Sequence, residues 1–368
     1  MNHFTELNEI VEDRYQLCIW LYRIKKETDK INKEKREQGE KNLMYLTIFA
    51  KPCHIKILFG DFLRTPPYTH IHTLKGHTGS VPCLTLHENN LISSGQDYTI
   101  RVWRTNTYEQ ISDFKGNTDD GWVSCFTIHE NKLYSGSNRG KICVWNTETH
   151  EIIATLIGHT QKVECLTIHD NKLYSGCGGT TIRIWNTETY KTIATLEGHT
   201  GWVSCLTIHE NKLYSGSMDK TICVWNTETY EKITTLRGNV GYVFCLAIHD
   251  NKLYSGCGNK AICIWNMENY EQISTLKVGT GYFVPPLGHT GWVNCITFHD
   301  NKLYSGCGDG TIRIWNPETY EEIATLRKHT DGYGHGYGCR RTGVMCLTIH
   351  KNRLFSGNVE NTISIWKV

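Results

Sequence analysis

The chain has no excess of charge, no long hydrophobic run and no recognisable leader. Its 368 residues carry 39 basic and 37 acidic side chains, a formal net charge of +2, so nucleic acid is not an expected partner. The longest apolar stretches, 17–22 and 43–50, are far too short to span a bilayer. The first ten residues, MNHFTELNEI, lack a positive region followed by an apolar segment, so no secretory signal is expected.

Motifs typical of enzymes and of cofactor sites are missing as well. The chain has no C-x-x-C pair, no G-x-x-x-x-G-K-[ST] loop, no G-x-S-x-G elbow and no kinase signature. The glycine-rich run 332–338 follows no strand–helix–strand pattern, so it does not predict a dinucleotide site. A histidine repeatedly follows a cysteine by four positions, but four strand residues span about 13 Å, too far for two ligands of one zinc ion. The sequence therefore predicts no cofactor, no metal site and no enzymatic activity.

The cysteines are placed as packing residues rather than as disulfide partners. The chain has 16 of them, and seven stand 20 residues before a repeated tryptophan: Cys83, Cys125, Cys165, Cys205, Cys245, Cys295 and Cys346. A cysteine that recurs once per repeat at one strand position faces a neighbouring repeat and not a matching cysteine, and free cysteine packs as a small apolar residue. The pattern indicates a reduced protein of the cytoplasm, with the nucleus as an alternative.

A repeated tryptophan indicates the architecture. Seven copies close the pattern I-x-[VI]-W, namely Trp103, Trp145, Trp185, Trp225, Trp265, Trp315 and Trp366, and the second to fifth are 40 residues apart. The copies are nearly identical in the middle of the chain, where 166–176 read LTIHDNKLYSG and 206–216 read LTIHENKLYSG. A unit of about 40 residues with four short strands is typical of one propeller blade.

The fourth copy shows how each unit predicts four antiparallel strands. Val203–His209 alternates, Glu210 and Asn211 form a tight turn, and 213–216 make a second strand. A turn at 218–220 leads into a third strand at 221–225, and an outer strand follows from about residue 231 to 236. The expected fold class is therefore all-β.

These units resemble WD repeats, in which a Gly-His pair precedes the first strand and a tryptophan ends the third. The resemblance covers about four fifths of the chain and recurs seven times. It implies a seven-bladed β-propeller, a fold that usually serves as a platform on which other proteins assemble.

In the WD-repeat family a polar tetrad stabilises each blade. It joins the histidine of the Gly-His pair, a serine or threonine of the second strand, an aspartate before the third strand, and the tryptophan. The resemblance implies three complete tetrads: His77, Ser93, Asp97 and Trp103; His199, Ser215, Asp219 and Trp225; His289, Ser305, Asp309 and Trp315. A buried tryptophan N–H needs such an acceptor.

The other four blades depart from this pattern. Asn117 and Arg139 replace the histidine and aspartate in blade two, Gly179 replaces the aspartate in blade three, and blade five has Asn239 and Asn259. In blade seven, His329 and Glu360 are 31 residues apart. We therefore expect packing alone to hold these four blades. The residue after the tryptophan is also never the aspartate of the family pattern.

The last blade needs a strand from elsewhere in the chain. The sequence ends two residues after Trp366, so the fourth strand of blade seven is missing from its own repeat. Residues 70–74 match the outer-strand pattern and precede the first Gly-His pair. We expect them to complete blade seven, which removes two exposed sheet edges. The predicted propeller domain spans 67–368.

The residues before the propeller predict a helix at 1–42 and a short apolar connecting segment at 43–66. Apolar residues recur in heptads, with Ile10, Leu17, Ile24 and Ile31 in one row and Leu21 in a second. Self-association as a coiled coil, giving a homo-oligomer, is the first interpretation. Packing of the helix on the propeller or on another protein, and a tail with little order, stay open.

Two sets of residues are candidates for partner binding. Aromatic side chains stand just before the first strand of four blades, at Trp122, Trp202, Tyr242 and Trp292. Blades six and seven carry insertions at 278–287 and 331–342, where aromatic and arginine side chains are frequent in binding hot spots. The insertions contribute Tyr282, Phe283, Tyr333, His335, Tyr337, Arg340 and Arg341. The alternatives are rings packed on their own loops and insertions without a role.

The sequence thus predicts a non-enzymatic scaffold that docks proteins or peptides on one propeller face. The alternative is a substrate-recognition or targeting subunit of a ubiquitin ligase or signalling complex. No F-box, RING or kinase pattern is recognised in residues 1–66, which disfavours that alternative. A catalytic propeller would need a cluster of perturbed acids, histidines or metal ligands in the channel, for which the sequence offers no candidate.

Overall fold

The computed structural model describes residues 68–115, 121–239, 241–276, 288–327 and 343–368. In this part of the chain the regular structure is entirely β-strand, in seven four-stranded antiparallel sheets. The predicted all-β, seven-bladed propeller is confirmed. None of the described residues belongs to a helix long and apolar enough to cross a membrane. The helix predicted at 1–42, with Ile10, Leu17, Leu21, Ile24 and Ile31, and the segment 43–66 lie outside the described residues.

The seven blades have the same order of strands, from the innermost to the outermost. Blade one contains β2 (Cys83–His87), β3 (Asn90–Ser94), β4 (Thr99–Arg104) and β5 (Gln110–Lys115). Blade two contains β6 (Val123–His129), β7 (Lys132–Ser137), β8 (Ile142–Asn146) and β9 (Ile152–Leu156). Blade three contains β10 (Val163–His169), β11 (Lys172–Cys177), β12 (Ile182–Asn186) and β13 (Thr192–Leu196). Blade four contains β14 (Val203–His209), β15 (Lys212–Ser217), β16 (Thr221–Asn226) and β17 (Lys232–Arg237).

The remaining blades follow the same plan. Blade five contains β18 (Val243–His249), β19 (Lys252–Cys257), β20 (Ile262–Asn266) and β21 (Gln272–Leu276). Blade six contains β22 (Val293–His299), β23 (Lys302–Cys307), β24 (Thr311–Trp315) and β25 (Glu322–Arg327). Blade seven contains β26 (Val344–His350), β27 (Arg353–Asn358), β28 (Thr362–Lys367) and, as its outer strand, β1 (Thr69–Lys75).

The first strand of the described chain closes the ring. β1 pairs antiparallel with β28, with Leu74 opposite Ile363 and Thr73 opposite Ser364. The innermost strands β2 and β26 also contact each other, so blade one lies beside blade seven. The predicted closure through the N-terminal strand is confirmed.

Two kinds of tight turn recur in the blades. The turn between the first and second strands of blade three has Asp170 at φ 48° and Asn171 at φ 55°, as a two-residue type I′ hairpin requires. The turn after Trp185 is held by Asn186, whose Oδ1 accepts the backbone N–H groups of residues 188 and 189 at 2.9 and 2.7 Å. Asparagine therefore supplies the side-chain acceptor at the position where the family pattern has aspartate.

Each outer strand carries a β-bulge whose extra residue is an exposed isoleucine. In blade three, for example, Ile184 pairs with Ala194 and Trp185 pairs with Thr192, which leaves Ile193 unpaired. The equivalent residues are between 41% and 45% exposed: Ile71, Ile111, Ile153, Ile193, Ile233, Ile273 and Ile323. A bulge twists an edge strand and hinders pairing with another chain. The propeller rim is thus protected against strand addition.

Close packing of a glycine sets the spacing between blades. A Cβ on Gly216 would lie 2.5 Å from Val243 Cγ1 of the next blade and 2.6 Å from Cys205 Sγ. The repeated cysteine also faces the next blade, since Cys165 Sγ lies 3.6 Å from the carbonyl oxygen of Val203. All thirteen cysteines of the described residues are free thiols. This packing matches the interpretation of the cysteines as small apolar residues.

The second repeated histidine joins neighbouring blades, a role that the sequence analysis did not assign. His249 Nε2 lies 2.7 Å from Asn301 Oδ1 of the next blade, and His299 Nε2 lies 2.9 Å from Asn352 Oδ1. His129 makes the same bond to the next blade, to Asn171. At these three interfaces the histidine is therefore a structural residue.

Candidate functional site on the upper face

The starts of the innermost strands define one face of the propeller, here called the upper face. In each blade the carbonyl oxygen of the residue before the first inward-facing valine accepts an N–H from the turn between the second and third strands. The carbonyl groups belong to Ser80, Trp122, Lys162, Trp202, Tyr242, Trp292 and Gly343. The innermost strands of consecutive blades contact one another, so these seven loops surround one opening. The lower face is formed by the other two turns of each blade.

A hydrogen-bonded chain runs from the interior of blade one to this face. Trp103 Nε1–H donates to Ser93 Oγ at 2.8 Å, and Ser93 Oγ lies 2.8 Å from His77 Nε2. His77 Nδ1 lies 3.0 Å from Asp97 Oδ2. Asp97 also accepts the backbone N–H of Thr78 at 2.8 Å, which ties the loop before the first strand to the turn before the third. Blade four has the same chain, with 2.8 Å between His199 Nδ1 and Asp219 Oδ2.

The histidine and aspartate of the blade one tetrad are buried in charge states that suit these bonds. Burial raises the pKa of Asp97, but hydrogen bonds from the Thr78 N–H and from Thr99 outweigh it, so the pKa lies below its ordinary value. Burial lowers the pKa of His77 more than Asp97 raises it. A neutral imidazole then donates through Nδ1 to the carboxylate and accepts the serine hydroxyl at Nε2.

The four incomplete blades are not held by packing alone, so that expectation is wrong. In each of them the tryptophan N–H still donates to the second-strand serine, at 2.7 to 3.0 Å: Trp145 to Ser135, Trp185 to Ser175, Trp265 to Ser255, and Trp366 to Ser356. The bond survives because a buried indole needs one acceptor, which the serine supplies without help from histidine or aspartate.

Blade three retains one further link and leaves one atom unpaired. His159 Nε2 lies 2.6 Å from Ser175 Oγ, but Gly179 offers no carboxylate and His159 Nδ1 has no hydrogen-bond partner within the described residues. Burial, and then the charge of Arg183, lower the pKa of His159 to about 4. The imidazole of blade three is therefore neutral at physiological pH.

Blade six brings three potential metal ligands together. The ligand atoms of His289, Cys307 and Asp309 lie within 4.8 Å of one another, the one such group among the residues described. The Asp309 carboxylate already accepts two hydrogen bonds from Thr290 and two from Thr311. Burial raises the pKa of the Cys307 thiol and keeps it protonated. These bonds occupy the carboxylate lone pairs, so the cluster functions as part of the blade six tetrad, in which His289 Nδ1 lies 3.8 Å from Asp309.

Three of the four predicted aromatic residues extend into solvent from a fixed backbone. Trp202, Tyr242 and Trp292 are 48%, 45% and 57% exposed. Their carbonyl oxygens accept N–H groups from the next turn at 2.9, 2.8 and 2.8 Å. Because the backbone is held while the ring is exposed, the ring is presented with little conformational freedom to lose on binding.

Phe244 belongs to the same patch and was missed in the sequence analysis. Its ring stacks on Trp292 with 5.3 Å between centroids, and it meets the edge of Tyr242 at 6.4 Å. The equivalent residue is polar in the neighbouring blades, where Ser204 hydrogen-bonds to the carbonyl oxygens of Gly216 and Val243, and Asn294 donates to Val344. Phe244 cannot make this hydrogen bond between blades. Its presence at a position that is polar in the neighbouring blades was the sequence signal that could have identified it.

Trp122 is less exposed than the other three predicted aromatic residues. The Nζ atom of Lys162 lies 5.0 Å from the centroid of the Trp122 ring, and Lys162 also lies 2.6 Å from Glu164. A cation over the ring face covers the surface that a partner would need. The structure therefore separates Trp122 from the other aromatic residues. We refer to Trp202, Tyr242, Phe244 and Trp292, in blades four to six, as the aromatic patch.

Two exposed lysines lie in the turns that hold the aromatic patch. Lys220 and Lys260 occupy the turns before the third strands of blades four and five, and both have φ 70°. The left-handed region is unfavourable for a residue with a side chain. The nearby carboxylate Asp219 is engaged with His199 and Thr221. The patch thus combines exposed rings with exposed positive charge.

The remaining predicted partner residues lie outside the described residues. They are the insertion residues Tyr282, Phe283, Tyr333, His335, Tyr337, Arg340 and Arg341. Asn117 and His329, two of the departures from the tetrad pattern, lie outside as well. Their placement stays a prediction.

Comparisons with known proteins agree with this architecture. A family model described as "WD domain, G-beta repeat" matches residues 68–104, 150–186, 190–226, 230–266 and 281–316, together half of the chain. The comparison with curated proteins gave no match. Among solved structures, the WD40 β-propeller domain of Doa1 is 21% identical, with a TM-score of 0.69 over 82% of this chain and 97% of that one. The computationally designed Ika8 protein is 23% identical, with a TM-score of 0.63 over 81% and 99% of the two chains.

Proposed function

Because the chain belongs to the WD40-repeat family and carries the aromatic patch on its upper face, we propose that it is a non-enzymatic scaffold that docks a partner protein there. WD40 propellers commonly mediate interactions between proteins. The observation that carries the proposal is Phe244, which replaces a hydrogen bond between blades with a stack on the 57% exposed ring of Trp292. Such a replacement exchanges a polar contact between blades for an aromatic one and enlarges an exposed apolar surface.

The chemistry of the patch indicates what the partner presents. Exposed tryptophan and tyrosine rings on a rigid backbone favour apolar and aromatic anchor residues. Lys220 and Lys260 add positive charge, which favours acidic residues beside those anchors. We therefore expect the docked segment to be acidic with apolar anchors.

Affinity purification with two matched triple variants tests the proposal. Trp202→Ala, Tyr242→Ala and Trp292→Ala together should remove the bound proteins identified by mass spectrometry. Ile111→Ala, Ile193→Ala and Ile233→Ala together remove three apolar side chains of similar exposure from the rim and should leave binding intact. Circular dichroism melts verify that both variants fold. Retention of all bound proteins by the aromatic variant would rule out the patch as the docking site.

The insertions of blades six and seven extend the same proposal. They precede the innermost strands of those blades, and the shorter loops at that position lie on the upper face. Trp292 follows the first insertion by five residues. Replacing 278–287 and 331–342 with the short loops of blades three and four should reduce the set of bound proteins. If the folded loop variant binds an unchanged set, the insertions have no part in docking.

A further inference from the structure

A basic cavity lies on the lower face, at the junction of blades seven and one. Its volume is ≈ 380 Å³, and it is lined by Asn89, Asn90, Arg104, Thr105, Asn106, His350, Lys351 and Arg353. No acidic residue is among these lining residues, although Glu88 and Glu109 are close in sequence. We call this cavity the basic seam. It is on the opposite face from the aromatic patch.

The internal repeats provide a comparison for the basic seam. The residue after the second repeated histidine is acidic in six blades and is Lys351 in the seventh; the acidic ones are Glu88, Glu130, Asp170, Glu210, Asp250 and Asp300. Arg104 stands where five blades have asparagine, and Asn106 stands where the same five have glutamate. Asn90 stands where the other six blades have lysine or arginine, so two negative charges and one positive charge have been lost at this junction while two positive charges have been gained. The shared fold does not require these changes, because the other junctions form without them.

Hydrogen bonds orient two of the cations within the cavity. Lys351 Nζ donates to Asn89 Oδ1 at 2.9 Å, and Arg353 Nη1 donates to the carbonyl oxygen of Thr105 at 2.8 Å. Each bond uses one donor of a group that has several, since an ammonium has three N–H bonds and a guanidinium five. Arg104 is exposed beside them. The cavity therefore holds oriented donors with capacity left for an anion.

His350 is a second, independent indication of a ligand. At three other junctions the equivalent histidine bonds to an asparagine of the next blade, but here the Asn89 Oδ1 atom accepts a hydrogen bond from Lys351. His350 Nε2 is buried with no hydrogen-bond partner in the described part of the chain. His169 Nε2 also lacks a hydrogen bond, but the Asp170 carboxylate lies 3.1 Å from it, whereas the residue after His350 is Lys351. Burial, and then the charges of Lys351 and Arg353, lower the pKa of His350. An anion in the cavity would supply both the missing acceptor and the missing negative charge.

The shape and lining of the cavity restrict the class of anion. The lining residues include no phenylalanine, tyrosine or tryptophan. The Tyr108 ring, which contacts the lining residue Arg353, is covered by that guanidinium at 5.3 Å and by the stacked His72 ring at 5.1 Å, so it offers no free face to a nucleobase. The cations of the cavity belong to one junction of a chain with net charge +2, which does not suit a long polyanion. Three asparagine amides line the cavity beside the cations, and amides both donate to and accept from hydroxyl groups.

We propose that the basic seam binds a small soluble phosphorylated polyol, such as a sugar phosphate or an inositol phosphate. Arg104, Lys351 and Arg353 bind the phosphate oxygens through charge-assisted hydrogen bonds. Asn89, Asn90 and Asn106 bind the hydroxyl groups. The site is independent of partner docking on the upper face, so failure of either proposal leaves the other intact.

Calorimetric titration of the full-length chain tests the proposal with defined probes. Inositol hexakisphosphate and glucose 6-phosphate are compared with AMP, with a phosphoserine peptide and with vesicles containing phosphatidylinositol 4-phosphate. At least one of the two soluble polyol phosphates should bind saturably, and more tightly than AMP or the peptide. Binding confined to vesicles, equal or tighter binding of AMP or the phosphopeptide, or no binding of either polyol phosphate overturns the proposal.

Matched variants assign the binding to the basic seam. Arg104→Gln and Lys351→Glu should each raise the Kd at least about tenfold, because each removes a charged donor. Lys367→Gln removes a cation from the position equivalent to Arg104 in blade seven and should leave the Kd unchanged. Circular dichroism melts establish that all three variants fold. A Kd that is the same for Arg104→Gln and for Lys367→Gln contradicts the assignment.

Proton NMR of His350 gives a readout that does not depend on affinity. Its imidazole pKa should rise when the bound polyol phosphate is present, because the anion stabilises the imidazolium. The His350→Gln variant identifies the resonance. A bound phosphate that leaves the His350 pKa unchanged would place the ligand elsewhere and overturn the proposal.

Discussion

The ammonium group of Lys302 lies 5.7 Å from the centre of the Tyr68 ring, which links blade six to the N-terminal strand of blade seven. The same contact recurs around the lower face, between a cation of the second strand and a tyrosine of the following blade. The other pairs are Lys132 with Tyr190, Lys172 with Tyr230, Lys212 with Tyr270, Lys252 with Tyr320, and Arg353 with Tyr108. The strand that comes first in the described chain is thus bonded and packed like an outer strand of any other blade.

Removal of the closing strand should destabilise the propeller. A chain beginning at Lys75 lacks the buried Leu74 and leaves β28 as an open edge, at a cost of at least ~3 kcal/mol. A chain beginning at Phe62 keeps the whole strand. Circular dichroism should show the shorter chain melting roughly 5–10 °C below the longer one. Equal melting temperatures would show that the closing strand is dispensable.

Removing the carboxylate from a complete tetrad and adding one to an incomplete tetrad should change the stability of the chain in opposite directions. Asp219→Ala removes the partner of His199 Nδ1 and should lower the free energy of unfolding by about 1–3 kcal/mol. Gly179→Asp supplies a partner for His159 Nδ1 and should raise it by about 1 kcal/mol. The new Cβ would lie 3.3 Å from Cys177 Sγ, so the thiol must shift by a few tenths of an ångström, and its next neighbour is Gln161 Cδ at 4.0 Å.

Urea unfolding measures both changes in the free energy of unfolding, with the m-value expected to be the same for the parent chain and both variants. If Asp219→Ala has no effect, the hydrogen-bonded chain of blade four does not contribute to stability. A Gly179→Asp variant less stable than the parent would contradict the view that blade three merely lacks its carboxylate.

Blade three should also make stability dependent on pH. The pKa of His159 is about 4 in the folded chain, below the ordinary value of 6.5, so the unfolded chain binds more protons between these values. Stability is then complete above pH 6.5 and is lost as the pH falls toward 4, by about 3 kcal/mol in total. The His159→Gln variant should lose this component, while other groups contribute equally to both chains. Urea unfolding of the pair at pH 7 and at pH 4.5 checks the difference, and parallel pH profiles would be the contrary result.

A methyl group at the blade interface should be costly. Gly216→Ala places Cβ 2.5 Å from Val243 Cγ1, and the overpacking should lower the free energy of unfolding by about 1–3 kcal/mol. Gly308→Ala is the matched control, because its Cβ would meet nothing closer than 3.7 Å. Chemical denaturation of both variants measures the contrast. Equal stability of the two variants would show that the blades can move apart to accommodate the methyl group without a loss of folding free energy.

The sequence predicted the fold further than it predicted the candidate site. The recurrence of Trp185 and its equivalents indicated seven blades. The lack of a fourth strand after Trp366 indicated closure by residues 70–74. Both could be inferred because the same local pattern occurs in every repeat. The serine bonds of the incomplete blades were not foreseen, since the family pattern treats four residues as one unit whereas the indole needs only Ser175 or its equivalent.

Singular residues were harder to interpret than repeated ones. Phe244 and Lys351 are each found once at their repeat positions, and their meaning depends on what lies across a blade interface. Stacking of Phe244 on Trp292 joins two different repeats, and Lys351 contacts Asn89 across the ring closure, 262 positions away. Neither relationship follows from spacing within one repeat.

Site-specific photo-crosslinking from Tyr242 tests the central claim, docking on the aromatic patch, most directly. A benzophenone amino acid at position 242 and one at position 111 replace side chains that are 45% and 42% exposed, one on the patch and one on the rim. Irradiation in cells followed by mass spectrometry should show a discrete covalent partner from position 242 that is absent from position 111. The account is contradicted if position 242 captures nothing, or if both positions capture the same proteins.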